Sequence, residues 1–229
     1  MAVDEATRVE RLREAQSLAR QLFDAIDQTG LVRPGASERQ VSDAIKDLAA
    51  DLLGVERHWH KRVIRAGSNA MFPYHANPPE RLIENDDIVY ADLGPIFGDW
   101  EADFGRTYVL GDDPDKHRLR ETLPVVFDAG RAHFESSPDI TGEQLFAFMV
   151  AEGRRHGWDW GGTIAGHLVG EFPHDLADGD DDFSRITPGN DRPMRGVDRT
   201  GNICHWILEV HLVDRDREIG GFYEELLDL

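Results

Sequence analysis

Four acidic residues of this 229-residue chain stand inside segments that are otherwise apolar. Asp92 interrupts Ile88-Val89-Tyr90-Ala91-Asp92-Leu93, and Asp103 follows Ala102 and precedes Phe104. Glu209 lies within Trp206-Ile207-Leu208-Glu209-Val210, and Glu224 within Gly221-Phe222-Tyr223-Glu224-Glu225-Leu226. An ionised carboxylate in a sheet interior is costly unless a cation compensates it. Two on neighbouring strands also repel, which raises one pKa. A pair of metal ions removes both costs, because four carboxylates balance two divalent cations. His167, between Gly166 and Leu168, adds a nitrogen. Taken singly, each residue has a bland explanation: one Asp exposed and the other paired with Arg106, or a hydrogen-bonded core histidine. Together they make a metal site the better reading.

The elements that must carry these residues follow from periodicity. Residues 3 to 29 place Val9, Leu12, Ala15, Ala19, Leu22, Phe23 and Ile26 at helical spacing, with Gly30 as a stop. Ser37 with Gln40 forms a capping-box signature for a second helix ending at Gly54. Residues 62 to 66 read as a short strand. Residues 87 to 93 and 102 to 110 read as a hairpin around a segment with turn residues at both ends. A helix is expected over 115 to 135, with Pro124 as a kink or restart. Thr141 with Gln144 caps another, stopped at Gly157. Strands are expected at 163–169, 205–214 and 221–227. Asp178 to Asp182 and the Pro/Gly/Arg-rich run to Gly201 read as a long acidic surface loop. Phe183 and Gly189 occupy the positions where a calcium loop of the EF-hand type needs Gly and Glu, so calcium is disfavoured there.

Composition narrows the function classes. Net charge is −19, from 25 basic and 44 acidic residues, which repels phosphate backbones and argues against nucleic acid. One cysteine, Cys204, permits no intrachain bridge and reads as a small packed hydrophobe in a reducing compartment. Neither a signal peptide nor a membrane span is legible, so a cytoplasmic location is expected. A chain of this length can bury roughly 70% of its unfolded surface without staples.

In order and spacing, these residues resemble the pita-bread family of methionine aminopeptidase, aminopeptidase P, prolidase and creatinase. Asp92 and Asp103 stand eleven residues apart, as the family's hairpin aspartates do, and Gly105-Arg106-Thr107 matches the family's Gly-Arg-Thr. Gly166-His167-Leu168-Val169-Gly170 matches its metal-binding histidine motif, and His174 stands seven positions on. Glu209 and Glu224 match its pair of glutamates on adjacent strands. His75, in Phe72-Pro73-Tyr74-His75, matches its upstream loop histidine.

The resemblance implies an α+β pita-bread fold over residues 1–229 as one catalytic domain. It also implies pseudo-symmetric halves, a curved antiparallel sheet and outer helices, with His167 onward in the second half. Asp92, Asp103, His167, Glu209 and Glu224 would hold two divalent ions of the Mn, Co, Fe or Zn kind. A water shared by the ions would then attack an amide carbonyl, with His75 and His174 on the substrate. The implied substrate is a short peptide, cleaved by an aminopeptidase of Xaa-Pro or related type. A homodimer is left open. Rival readings are a non-peptide C–N hydrolase of creatinase type, whose family carries an additional N-terminal domain, and a non-catalytic binding module.

Departures put the substrate in doubt. Val210 stands where the family usually has Pro, and Phe222 where it has Arg. The 175–201 loop is enlarged and acidic, and Glu225 is a one-residue alternative to Glu224 as the last ligand. His58-Trp59-His60 could form a metal pair, but with no acid nearby in sequence it reads as a surface or partner contact.

Overall fold

The computed structural model describes residues 3–174 and 182–229. Its helices are α1 (Glu5–Thr29), α2 (Glu38–Leu53), α3 (Pro114–Ser136) and α4 (Gly142–Arg155). Its strands are β1 (Val63–Ala66), β2 (Ile88–Leu93), β3 (Ile96–Phe97), β4 (Trp100–Glu101), β5 (Phe104–Val109), β6 (Asp159–Trp160), β7 (Gly166–Val169), β8 (His205–Asp214) and β9 (Ile219–Leu226). The main sheet runs β1-β2-β5-β9-β8-β6, with β7 also paired to β8, and every ladder in it is antiparallel. β3 and β4 form a small hairpin between β2 and β5. This is the expected α+β pita-bread fold.

Local signals act where expected. Both capping boxes form, Ser37 with Gln40 and Thr141 with Gln144, and Gly30 and Gly54 close their helices in the left-handed region. α3 runs through Pro124 as one helix, so of the expected kink or restart the restart does not occur.

Two apolar cores lie against the sheet. Leu12, Ala15, Leu22 and Ile26 of α1 and Val41 and Ile45 of α2 pack with Val89, Ala91 and Leu93 of β2. Leu119, Leu123 and Phe127 of α3 and Leu145 and Met149 of α4 pack with Leu208, Val210 and Leu212 of β8. Each half is therefore two helices followed by strands. The second half begins with α3, upstream of His167.

The expected surface loop is corrected in its described part. Residues 178–181 lie outside the described residues. Beyond them, Ile186, Thr187, Asn190 and Met194 are buried. Asn190 accepts from the Glu143 amide at 2.7 Å through its carbonyl, and its side chain donates to the Arg185 carbonyl at 2.8 Å. The Trp206 indole donates to the Met194 carbonyl at 2.9 Å. This stretch is a wall of the second core. Cys204 is half-buried against the same core.

Candidate metal centre

Strand period and register build the site. Successive residues of a strand face opposite sides of its sheet, so Val89, Ala91 and Leu93 face the helices while Asp92 faces away from them. Asp92 pairs with Gly105, Gly105 with Glu224, and Glu224 with Glu209. One row across β2, β5, β9 and β8 thus carries three carboxylates, at an interstrand spacing of about 4.8 Å. Gly105 is the gap in that row. A Cβ there would lie 2.5 Å from the Phe222 ring and 3.1 Å from the Glu224 Cβ. The fourth carboxylate, Asp103, enters from just before β5.

Asp92, Asp103 and Glu224 are buried, and Glu209 is partly exposed. His167 on β7 brings Nε2 to 3.1 Å from Asp103 Oδ2 and 3.9 Å from Glu224 Oε1. The register thus brings together all five residues expected to bind metal. Glu225, the alternative to Glu224, faces the helices, where Arg20 and Arg106 pair with it. Arg106 also lies between the rings of Phe104 and Tyr223, so it serves neither aspartate.

His60 corrects the sequence reading. Its side chain is only 6% exposed, with Nε2 3.1 Å from Asp103 Oδ1 and 3.5 Å from Asp92 Oδ1. It is no surface contact. Its neighbour His58 is half-buried outside the cavity, in an isolated bridge to Pro95. The acids absent near His60 in sequence are supplied by the pairing of β1 with β2, which sets Val63 opposite Asp92. That pairing joins segments more than twenty residues apart, so the sequence around His60 carries no sign of it.

The electrostatics show a cluster short of positive charge. Burial pushes Asp92 up to about 7, and Asp103 adds to the push against the pull of His60. Burial lifts Glu209 to about 8, aided by Asp92 and Asp103. Burial and then Asp103, Asp92 and Glu209 hold Glu224 well above the usual carboxylate range. Asp103 alone is depressed: burial opposes its charge, but His60 and His167 outweigh it. Burial likewise opposes charge on His60, yet Asp103 and Asp92 raise it to about 9. Glu224 Oε2 is buried with no hydrogen-bond partner. Burying such an acceptor unsatisfied costs about 1–3 kcal/mol. Oxygen-rich donors with imidazole, an orphaned oxygen and mutually raised carboxylates fit divalent cations.

A cavity of about 510 Å³ opens over these residues, lined also by Trp59, Tyr74, Ile164, His174, His211 and Phe222. His174 is partly buried, and the buried carboxylate of Glu101 accepts from its Nδ1. His75 is exposed and also lines the cavity. His211 donates through Nε2 to the Ala70 carbonyl at 2.9 Å, and burial, aided by Arg65, pushes it down to about 4. Glu101 and His211 carried no signal in the sequence beyond being polar residues in apolar surroundings.

The model of metallopeptidase family M24 matches residues 10–203. The chain belongs to that family. The matched segment contains Asp92, Asp103, His167 and His174 but ends before β8, so Glu209 and Glu224 rest on the geometry. The chain is 29% identical over 168 residues to the uncharacterized peptidase YqhT of Bacillus subtilis, covering 72% of this chain and 45% of that one. It is 27% identical over 146 residues to an Xaa-Pro dipeptidase of Pyrococcus furiosus, covering 63% of this chain and 41% of that one. Each match thus spans less than half the length of these curated relatives. Among solved structures, a prolidase from Thermococcus sibiricus aligns with a TM-score of 0.73 at 18% identity, covering 99% of this chain and 57% of that one. Methionine aminopeptidase from Rickettsia prowazekii aligns at 0.68 and 17% identity, covering the whole of both chains. These solved structures share this chain's pita-bread fold. No described helix is long and apolar enough to cross a membrane.

Proposed function

We propose that residues 1–229 act as one catalytic domain, a dinuclear metal-dependent peptidase that cleaves short peptides of the Xaa-Pro or a related class. The observation that carries this reading is the register row of Asp92, Glu224 and Glu209, completed by Asp103 and His167. Family membership and the peptidases among its relatives support it. Asp92, Asp103, His167, Glu209 and Glu224 would hold two divalent ions, of the Mn, Co, Fe or Zn kind. Such ions polarise an amide carbonyl and bring the pKa of water from 15.7 down to about 7.

The chain's own residues do the rest. Asp103, with one oxygen facing His60 and the other facing His167, spans the two halves of the centre. Trp59, Ile164 and Phe222 wall the cavity and restrict water around a bound peptide. Glu101 engages Nδ1 of His174, so Nε2 is the nitrogen left to face the substrate, and it donates to developing negative charge when both ring nitrogens carry protons. His75, on the cavity rim, contacts the substrate from the opposite loop. His211 stays neutral at working pH and forms an uncharged part of the wall.

The test is hydrolysis by protein loaded with Mn²⁺, Co²⁺ or Zn²⁺. Xaa-Pro dipeptides, longer peptides with proline second, peptides without proline and small non-peptide amides are compared. Peptide cleavage that is lost in Asp103→Ala supports the proposal. Cleavage confined to non-peptide amides, or none with any loaded metal, would contradict it.

A further inference from the structure

Resting on the two-ion reading above, we infer that His60 is a nitrogen ligand of the ion held by Asp92 and Asp103, so that each half of the centre carries one imidazole. The argument is a likeness between His60 and His167. His60 Nδ1 lies 2.7 Å from the carbonyl of the next residue, Lys61, and His167 Nδ1 lies 2.7 Å from the carbonyl of its own next residue, Leu168. A donating Nδ1–H fixes the tautomer in which Nε2 carries the lone pair, the arrangement that orients metal-ligating histidines. The two Nε2 atoms then approach opposite oxygens of one carboxylate, each at 3.1 Å: His60 at Asp103 Oδ1 and His167 at Asp103 Oδ2.

The spacing suits a shared ion. Ligands about 2.1 Å from one ion stand about 3.0–3.4 Å apart for coordination angles between octahedral and tetrahedral. His60 Nε2 is 3.1 Å from Asp103 Oδ1 and 3.5 Å from Asp92 Oδ1. These three atoms form one compact group, and Asp103, His167 and Glu224 supply another.

The surroundings hold His60 in that pose. The Trp59 indole packs edge-on against His60, with ring centroids 4.4 Å apart, and donates to the Ala102 carbonyl at 3.0 Å. The Trp59 amide donates to the Gly94 carbonyl at 2.9 Å. Gly94 leaves the space, since a Cβ there would come within 2.1 Å of the His60 ring. The segment before β1 is thereby pinned over the end of β2, immediately beyond Asp92. A histidine serving only as counter-charge would not need its second nitrogen held in the same way as that of His167.

X-ray absorption on the unmodified protein loaded with Zn²⁺ or Co²⁺ counts imidazole scattering per ion. The expected count is about one per ion, falling to about half in either His60→Ala or His167→Ala measured with both sites filled at saturating metal. Metal titration should show one of the two binding steps weakened more than about 100-fold in His60→Ala, beyond the 10–100-fold loss typical of a residue that only orients a ligand. About half an imidazole per ion in the unmodified protein overturns the proposal whether or not the variant folds. So do unchanged binding steps in a folded His60→Ala. An unmodified protein that takes up no ion overturns the two-metal reading as well, which separates the two failures.

Discussion

Glu224 and Glu225 are adjacent in sequence and both buried, yet they face opposite sides of β9 and meet opposite environments. On the helix side, Glu225 is paired with Arg20 from α1 and Arg106 from β5. On the cavity side, Glu224 meets Asp103, Asp92 and Glu209, and one of its oxygens has no partner. The same contrast recurs elsewhere. Asp87 is matched by Arg81 and Glu152 by Arg155, whereas the only described cationic partners within 4 Å of Asp92 and Asp103 are histidines. Glu225, Asp87 and Glu152 are thus neutralised by the protein's own arginines. In the proposed metal centre, the cavity carboxylates are left to an external cation.

The comparison breaks most visibly by exchanging the two glutamates' fates. Glu224→Gln should abolish binding of one ion and lower turnover by more than ~10²-fold, the scale of losing one preorganised electrostatic group. The metal-free melting temperature should change little, because Gln keeps the shape of the side chain and removes a negative charge that burial, Asp103, Asp92 and Glu209 disfavour. Glu225→Ala should do the reverse: metal content is kept, and stability falls by about 1–3 kcal/mol. That lies below the 3–5 kcal/mol for breaking a fully buried pair, since Arg106 keeps carbonyl partners. Metal analysis and denaturant unfolding of the two variants read both outcomes.

The next effect sharpens the boundary between metal and substrate. His174→Ala should leave metal content nearly unchanged and lower kcat by ~10²–10³-fold. His75→Ala should act in the same direction and less strongly, since that side chain is exposed. Loss of metal in either variant would place that histidine among the ligands.

A smaller effect concerns pH. Asp92 and Glu209, raised to about 7 and 8, hold protons in the folded metal-free chain that the unfolded chain releases near pH 4. The folded state therefore binds more protons between those values, and its stability falls as pH rises through that window. His60, raised to about 9, extends the fall upward. Metal binds the deprotonated forms, so the gap in melting temperature between loaded and stripped protein should widen from pH 5 to pH 9. A gap that narrows would contradict the assignment.

The smallest effect lies away from the site. His205 stands 2.7 Å from Glu5 and 2.8 Å from Asp228, tying α1 and the C-terminus to β8. Burial opposes its charge, but the two acids outweigh that and raise its pKa. Its contribution is full below the ordinary histidine value of about 6.5 and is lost as pH rises through the raised value. His205→Gln should therefore lower the melting temperature at pH 6 and have less effect at pH 9.

Much of the site was legible because strand alternation is local. A carboxylate inside an apolar strand declares its face, and the period of two separates Glu224 from Glu225. His60 was illegible for the opposite reason. It lies in irregular chain, and only the β1–β2 pairing returns it to Asp92. The wall formed by Ile186, Asn190 and Met194 escaped in the same way. Its Pro, Gly and Arg residues signal turns, while its burial depends on α4 and Trp206, distant in sequence. The start of the second half at α3 follows from packing of that helix on β8 and β9, which helical periodicity does not reveal.

The central claim is that the cavity face binds two divalent cations in place of the arginines that serve the helix face. Elemental analysis of the unmodified protein, stripped, reconstituted with Mn²⁺, Co²⁺ or Zn²⁺ and dialysed, tests it most directly. About two ions per chain, falling in Asp103→Ala and unchanged in Glu225→Ala, is the expected result; no retained ion with any of the three metals would contradict it.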